Sequence, residues 1–137
     1  MVAAWSKLDE VNVLASAADW AWPQAVRDIF QPRGVTLLVA EDAHDFVHII
    51  ANRRIHTTIL DIDWGRPSGL TTVRLIRMDY PLLPCILLTS RVDRDVLDQA
   101  LQLNVFSVVA KPVNMDILRE MLNRIFLKRY NSNLFAP

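Results

Sequence analysis

Cysteine is almost missing from this chain: Cys85 is the only one in 137 residues. That excludes an internal disulfide and a thiolate metal cluster, and it fits a reducing, cytoplasmic setting. Charge of either sign is also not in excess, since 15 basic residues balance 15 acidic ones and no dense basic run occurs. Direct nucleic-acid binding therefore has no support in the composition. Long apolar runs are absent too, none approaching the roughly 18 residues of a membrane helix. Residues 1–10 lack a basic start followed by an apolar core, so they do not read as a signal peptide. No glycine-rich loop follows the first apolar run, which weakens any reading as a nucleotide binder or a nucleotide-dependent enzyme.

What the chain does have is 52% hydrophobic and 22% charged residues, a globular composition. Its length suits one domain that buries a core without disulfides. The expected organisation is an N-terminal extension over 1–10, a domain over 11–128 and a C-terminal tail over 129–137. The tail is mostly polar apart from Leu134 and Phe135 and is expected to fray.

Short apolar runs at 11–16, 35–40, 57–62, 85–89 and 106–110 alternate with helix-periodic segments. The runs are too continuous for strands with one wet face, so they read as parallel strands covered on both sides. Pro23 suits a first helical turn carrying Val26, Ile29 and Phe30, which Pro32 and Gly34 stop. Asp42 caps a second helix that turns Phe46, Ile49 and Ile50 inward. A third covers 70–78 around Val73 and Ile76. Asp93 caps a fourth with Val96, Leu97 and Ala100, ended at Asn104. Asn114 caps the fifth, whose apolar face takes in Ile117, Leu118, Met121, Leu122, Ile125 and Phe126. The pattern is (βα)5, a doubly wound, five-stranded parallel sheet with right-handed crossovers.

In such sheets, ligands and chemistry collect at the C-terminal ends of the strands. A carboxylate is costly to desolvate, so Asp61, at the end of an apolar run, belongs at that tip. The same edge gathers the segment from Ser16 to Asp19, then Thr89 with Ser90, and Lys111 with Pro112. A carboxylate can act as a nucleophile that becomes an acyl phosphate. A lysine offers a point charge to phosphate oxygens, and a threonine hydroxyl can donate to them. Taken without further context, Asp61 and Lys111 also read as a salt bridge locking two strand ends.

On these residues the chain resembles the response-regulator receiver family of two-component signalling, over about 11–126. Asp61 stands where that family's phospho-acceptor ends strand three, and Gly69-Leu70 falls at the family's spacing before helix three. Thr89-Ser90 matches the hydroxyl residue and small residue after strand four. Lys111-Pro112 matches the pair that carries a cis peptide bond after strand five. The resemblance implies a flavodoxin-like receiver fold and a non-enzymatic, cytoplasmic signalling module without an output domain. It implies a sensor histidine kinase or phosphotransfer protein as phosphodonor, with Asp61, Thr89 and Lys111 as the working residues. It also implies a downstream protein partner on helix four, strand five and helix five, with a homodimer as another use of that face.

The sequence departs from the family at three places. The two adjacent acids that hold Mg²⁺ after strand one are Ala17-Ala18, or Ser16-Ala17 in a shifted alignment, with only Asp19 nearby. The remaining ligands are Asp61, Asp63 as a weak one and Asp19 as a doubtful one. One carboxylate about 4 Å from a divalent ion is worth several kcal/mol even when screened. Millimolar binding needs only about 4 kcal/mol in total, so Mg²⁺ is expected to bind weakly. The usual proline four residues past the acceptor is Gly65, with Pro67 displaced by two. The aromatic switch position is Val108, with Phe106 two earlier and expected on the same strand face. The alternative function is a phosphorylation-independent pseudo-receiver that serves as a protein-binding module.

Other residues read more plainly. His44 and His48 share a helical spacing that can bind zinc, but they lie opposite Phe46 and Ile50 with no third ligand. Cys85 opens an apolar strand and reads as an inert core thiol. Trp20, Trp22 and Trp64 fall in the first and third βα loops, where packing is the expected role and an aromatic lid the alternative.

Overall fold

The computed structural model describes residues 10–16, 22–64 and 68–137. Its strands are β1 (Asn12–Ser16), β2 (Thr36–Ala40), β3 (Thr57–Asp61), β4 (Cys85–Thr89) and β5 (Ser107–Ala110). They form one parallel sheet in the order β2-β1-β3-β4-β5. The helices are α1 (Trp22–Ala25), α2 (Ala43–Asn52), α3 (Gly69–Asp79), α4 (Arg94–Gln102) and α5 (Met115–Tyr130). Apolar side chains from alternate strand positions feed two cores. One joins β1, β4 and β5 to α1 and α5, and the other joins the sheet to α2, α3 and α4. The expected five-stranded, doubly wound fold is the observed one.

Helix starts follow local chemistry. Asp42, Asp93 and Asn114 each sit in extended backbone and accept from an amide of the first turn, at 2.7, 2.9 and 2.9 Å. Such caps satisfy donors that the helix itself cannot. Ser68 does the same for α3, which moves that helix's start one residue ahead of the sequence expectation. Asn104 adopts φ 54° just past α4, as its tolerance for the left-handed region predicts.

Several expectations need correction. The first helix keeps α geometry only to Ala25, passes through a π turn (Val26–Phe30) and ends in a 3₁₀ turn (Gln31–Arg33). Pro32 has no N–H to return to the helix, so regular bonding fails before it. β2 is not covered on both faces: Thr36 and Val39 are exposed, because β2 is an edge strand. Leu97 and Ile117 face solvent, with 46% and 49% exposure. α4 meets the core mainly through Ala100, and α5 through the stripe Leu118, Leu122, Ile125 and Phe126. Ile117 lies one residue, or ~100° of helix, off that stripe.

β5 begins at Ser107, so Phe106 precedes the strand and does not share a face with Val108. Phe106 packs toward the α1/α5 core and Val108 toward the α2/α3/α4 core. The tail does not fray. Phe135 is fully buried between Phe30 and Phe126, at ring distances of 6.1 and 4.8 Å. Arg119 and Arg33 donate to the carbonyls of Phe135 and Ala136, at 2.7 and 3.2 Å. Burying one phenylalanine yields ~1.5–3 kcal/mol, enough to hold a short segment with those bonds.

Candidate functional site

β3 ends on Asp61 because the next residues leave the sheet to reach α3. The amide of Asp61 donates to the buried Ser16 hydroxyl at 2.9 Å, which fixes the end of β3 against the end of β1. On the far side, α3 starts directly against this turn. A Cβ at Gly69 would lie 2.4 Å from the Asp61 carbonyl oxygen and 2.9 Å from the Ile62 Cα. Gly69 is therefore required by close approach, and its own amide donates to the Ile62 carbonyl at 3.1 Å. The Asp61 carboxylate bonds within its turn as well, Oδ1 accepting from the Asp63 amide at 2.9 Å.

Lys111 follows β5, its amide donating to the Thr89 carbonyl at 2.8 Å, and its bond to Pro112 is cis. The Lys111 Nζ lies 2.6 Å from Asp61 Oδ2 and 3.4 Å from Asp63 Oδ2. Ser90 donates its hydroxyl to the same Asp63 oxygen at 3.1 Å. Asp61, Asp63, Ser90 and Lys111 thus form one connected group across three strand ends. Burial disfavours the charged Lys111, but the hydrogen bond and charge of Asp61, with Asp63 behind it, raise its pKa overall. Burial likewise opposes ionisation of Asp63, yet Ser90 and the Lys111 charge bring its pKa below the ordinary value.

Thr89 stands at the end of β4, nearly buried, but its hydroxyl is not directed to this group. It donates to the Arg91 carbonyl and accepts from the Arg91 amide, both at 3.1 Å. Ala17, Ala18, Asp19, Trp20, Gly65 and Pro67 lie outside the described residues. Trp22 opens α1, buries its ring and donates Nε1 to the Ser16 carbonyl at 3.1 Å. Trp64 is half-buried and tilts against Phe46, 6.0 Å between ring centres. Both described tryptophans pack, and Trp22 braces the residue that holds Asp61.

Sequence reasoning gave no role to Ser16 and none to the Ser90 hydroxyl. A polar residue ending the run at 11–16 was the available signal. Its partner becomes apparent only once β1 is known to lie beside β3. His44 and His48 are exposed, and His48 pairs with Asn52. Among the described residues no three His, Cys, Asp or Glu converge as a metal site. Cys85 is buried, and burial pushes its thiol up to about 11, as an inert core thiol requires.

The carboxylates described here do not fit a divalent cation well. Mg²⁺ needs several oxygen ligands, and among the described residues the two carboxylates at this site, Asp61 and Asp63, already share the Lys111 ammonium. Two unit charges 4 Å apart interact by about 4 kcal/mol near a protein surface, so a dication beside the ammonium meets roughly twice that repulsion. An ion on these oxygens has to compete with the Lys111 charge.

A family model described as response regulator receiver domain matches residues 20–123. The chain is 26% identical over 91 residues to the DNA-binding transcriptional regulator NtrC of Proteus hauseri, covering 66% of this chain and 19% of that protein. It is 34% identical over 68 residues to the chemotaxis protein CheY of Pseudomonas aeruginosa, covering 47% and 55% respectively. The chain thus spans a minor part of the longer regulators it resembles and about half of the shorter one. Among solved structures, it is similar to the signal receiver domain of an HD domain-containing protein from Pseudomonas fluorescens. That likeness has a TM-score of 0.78, 21% identity, and 90% and 99% coverage of the two chains. It is also similar to the chemotaxis response regulator CheY4 of Vibrio cholerae, at TM-score 0.74, 22% identity, and 85% and 98% coverage. At these identities the structures speak for the fold alone.

Proposed function

The chain belongs to the response regulator receiver domain family of two-component systems, and from that premise we propose that Asp61 is its phosphoryl acceptor. The observation that carries this reading is the Lys111 ammonium 2.6 Å from a nearly buried carboxylate at the C-terminal tip of β3. A sensor histidine kinase or phosphotransfer protein supplies the phosphoryl group. An Asp61 oxygen attacks phosphorus, a new O–P bond forms, and the P–N bond to the donor imidazole breaks, its electron pair leaving with the ring. Lys111 then exchanges its contact with Oδ2 for the phosphoryl oxygens. Asp61 and Asp63 bind Mg²⁺ weakly, because the ion competes with Lys111.

Thr89 follows only by giving up its two bonds with Arg91, which carries the change into the segment before α4. Val108 has no aromatic rotamer to move, so the switch runs through Thr89 and Arg91. The receiving surface is α4, β5 and α5, where Leu97, Leu101 and Ile117 are exposed, and it accepts a protein partner or a second copy of the chain. The domain is a signalling module and turns over no substrate of its own.

One specific feature favours the second reading, a pseudo-receiver that binds partners without phosphorylation. Lys111 already joins Asp61 to Asp63, and Thr89 is satisfied within its own turn. Incubation with acetyl phosphate and Mg²⁺, read by intact mass and hydroxylamine release, separates the two. An adduct on the wild type that is missing from Asp61→Asn supports the acceptor role. No adduct on either protein supports the pseudo-receiver.

A further inference from the structure

β5 is an edge strand that pairs with β4 alone. Every second residue of such a strand turns its N–H and C=O toward open space. The sequence of β5, Ser-Val-Val-Ala, has none of the lysines or prolines that usually blunt an edge. Among the described residues, no hydrogen bond reaches that outer side.

Two cavities lie along this strand and meet at Ser107 and Met121. The first, ≈ 370 Å³, runs the length of β5 and is walled by Ile117 and Met121 of α5. The second, ≈ 410 Å³, continues past the start of β5 and is walled by Arg124, Lys128 and Arg129. No carboxylate lines either one. Arg124 pairs with Glu120 at 3.2 Å, whereas Lys128 and Arg129 form no ion pair with any described residue. Arg77 lies close enough to Arg129 to feel its charge, and its own donors are committed to four backbone carbonyls. In a chain of zero net charge, this end of the groove is a local concentration of positive charge.

We infer that the groove takes an extended peptide that adds as a strand to the edge of β5, with apolar side chains over α5 and acidic residues at the Arg124/Lys128/Arg129 end. The inference rests on the partner surface named above and gives it a mode of recognition. Strand addition supplies affinity through main-chain bonds and specificity through alternate side chains. Four residues of β5 span ~13 Å at ~3.3 Å each, so the apolar part is about four residues long. The acidic part follows over the start of the strand, where the cations stand. Charge complementarity there favours an acidic segment over any neutral one and speeds its encounter.

The test uses the whole chain and a fluorescein-labelled peptide, Val-Thr-Val-Asp-Glu-Glu, read by anisotropy. Saturable binding is expected, with slower amide exchange at residues 107–110. The combined variant Arg124→Glu, Lys128→Glu, Arg129→Glu, with its fold checked by circular dichroism, should lose about tenfold or more in affinity. A peptide N-methylated at alternate residues cannot pair as a strand and should not bind. Undiminished binding of the N-methylated peptide, or undiminished binding to the charge-reversed chain, overturns the inference. So does no binding at millimolar peptide, or self-association of the chain through β5 in sedimentation. Running the same titration with Asp61→Asn keeps it independent of the acyl-phosphate assay, so either reading can fail alone.

Discussion

Replacing Lys111 with methionine removes the cation that touches Asp61 and leaves the side chain's apolar length in place. Asp61 and Asp63 then keep their negative charges with no counter-ion among the described residues. Breaking a buried pair by removing one partner costs about 3–5 kcal/mol, while exposed pairs are worth about 0–1. The Lys111 side chain is 21% exposed and that of Asp61 9%, nearer the buried limit than the open one. The contact of Lys111 with Asp63 adds less, since the Asp63 side chain is 53% exposed. The expected destabilisation at neutral pH is therefore about 2–3 kcal/mol by urea unfolding. In the cycle with Asp61→Asn, the coupling should be about 1.5–2.5 kcal/mol, because the double variant leaves no carboxylate at 61 unpaired.

The pH profile sharpens this. Lys111 has a raised pKa when folded, so its contribution is fully present below its ordinary value near 10.4 and fades as pH rises past the folded value. Asp63 has a lowered pKa, so its contribution is present above its ordinary value near 3.9 and is lost as pH falls through the folded value. The penalty of Lys111→Met should hence shrink as pH falls toward about 4, where Asp63 takes up a proton. A coupling energy below about 0.5 kcal/mol, or a penalty equal at about pH 7 and about pH 4, refutes the account of the site as one ionic group.

Gly69→Ala drives a Cβ into backbone atoms of Asp61 and Ile62 that cannot turn aside. The expected loss is about 1–3 kcal/mol in urea unfolding, and stability within about 0.5 kcal/mol of wild type sinks the close-approach argument. His56 is buried, accepts the Asn12 amide at 3.2 Å on Nδ1, stacks on Phe126, and takes the Tyr130 hydroxyl on its carbonyl. Burial first, then the Arg54 charge, holds its pKa low, so the neutral ring's stabilisation is complete above about 6.5 and lost as pH falls below it. His56→Gln should flatten the fall in stability between about pH 6.5 and about pH 5, and equal slopes for the two proteins count against the idea.

The sequence shows the sheet and the placement of Asp61 because both rest on local pattern. An apolar run that ends in a carboxylate needs no distant partner to be recognised. Lys111-Pro112 and Thr89-Ser90 are legible for the same reason. What escapes is set by packing between distant segments. Ser16 matters because β1 lies beside β3, and Asp63 because Lys111 arrives from β5, some 50 residues later. Phe135 finds its place only when the π turn after α1 and helix α5 bring Phe30 and Phe126 to either side of it. Leu97 and Ile117 look inward on a helical wheel, yet how much of each helix the sheet covers decides their exposure. Thr89 shows the limit of type-matching: the right residue stands at the right strand end, and its hydroxyl is engaged elsewhere.

Asp61, Asp63 and Lys111 form one electrostatic arrangement. Lys111 offsets one of the two negative charges that Asp61 and Asp63 bring, so the described residues leave one negative charge at the resting site. On the proposed reading, phosphorylation of Asp61 upsets that balance. An acyl phosphate carries more negative charge than the carboxylate it replaces, and the same lone ammonium then has to offset it. On that reading, the single ammonium that offsets the resting charges leaves the phosphorylated site less well balanced.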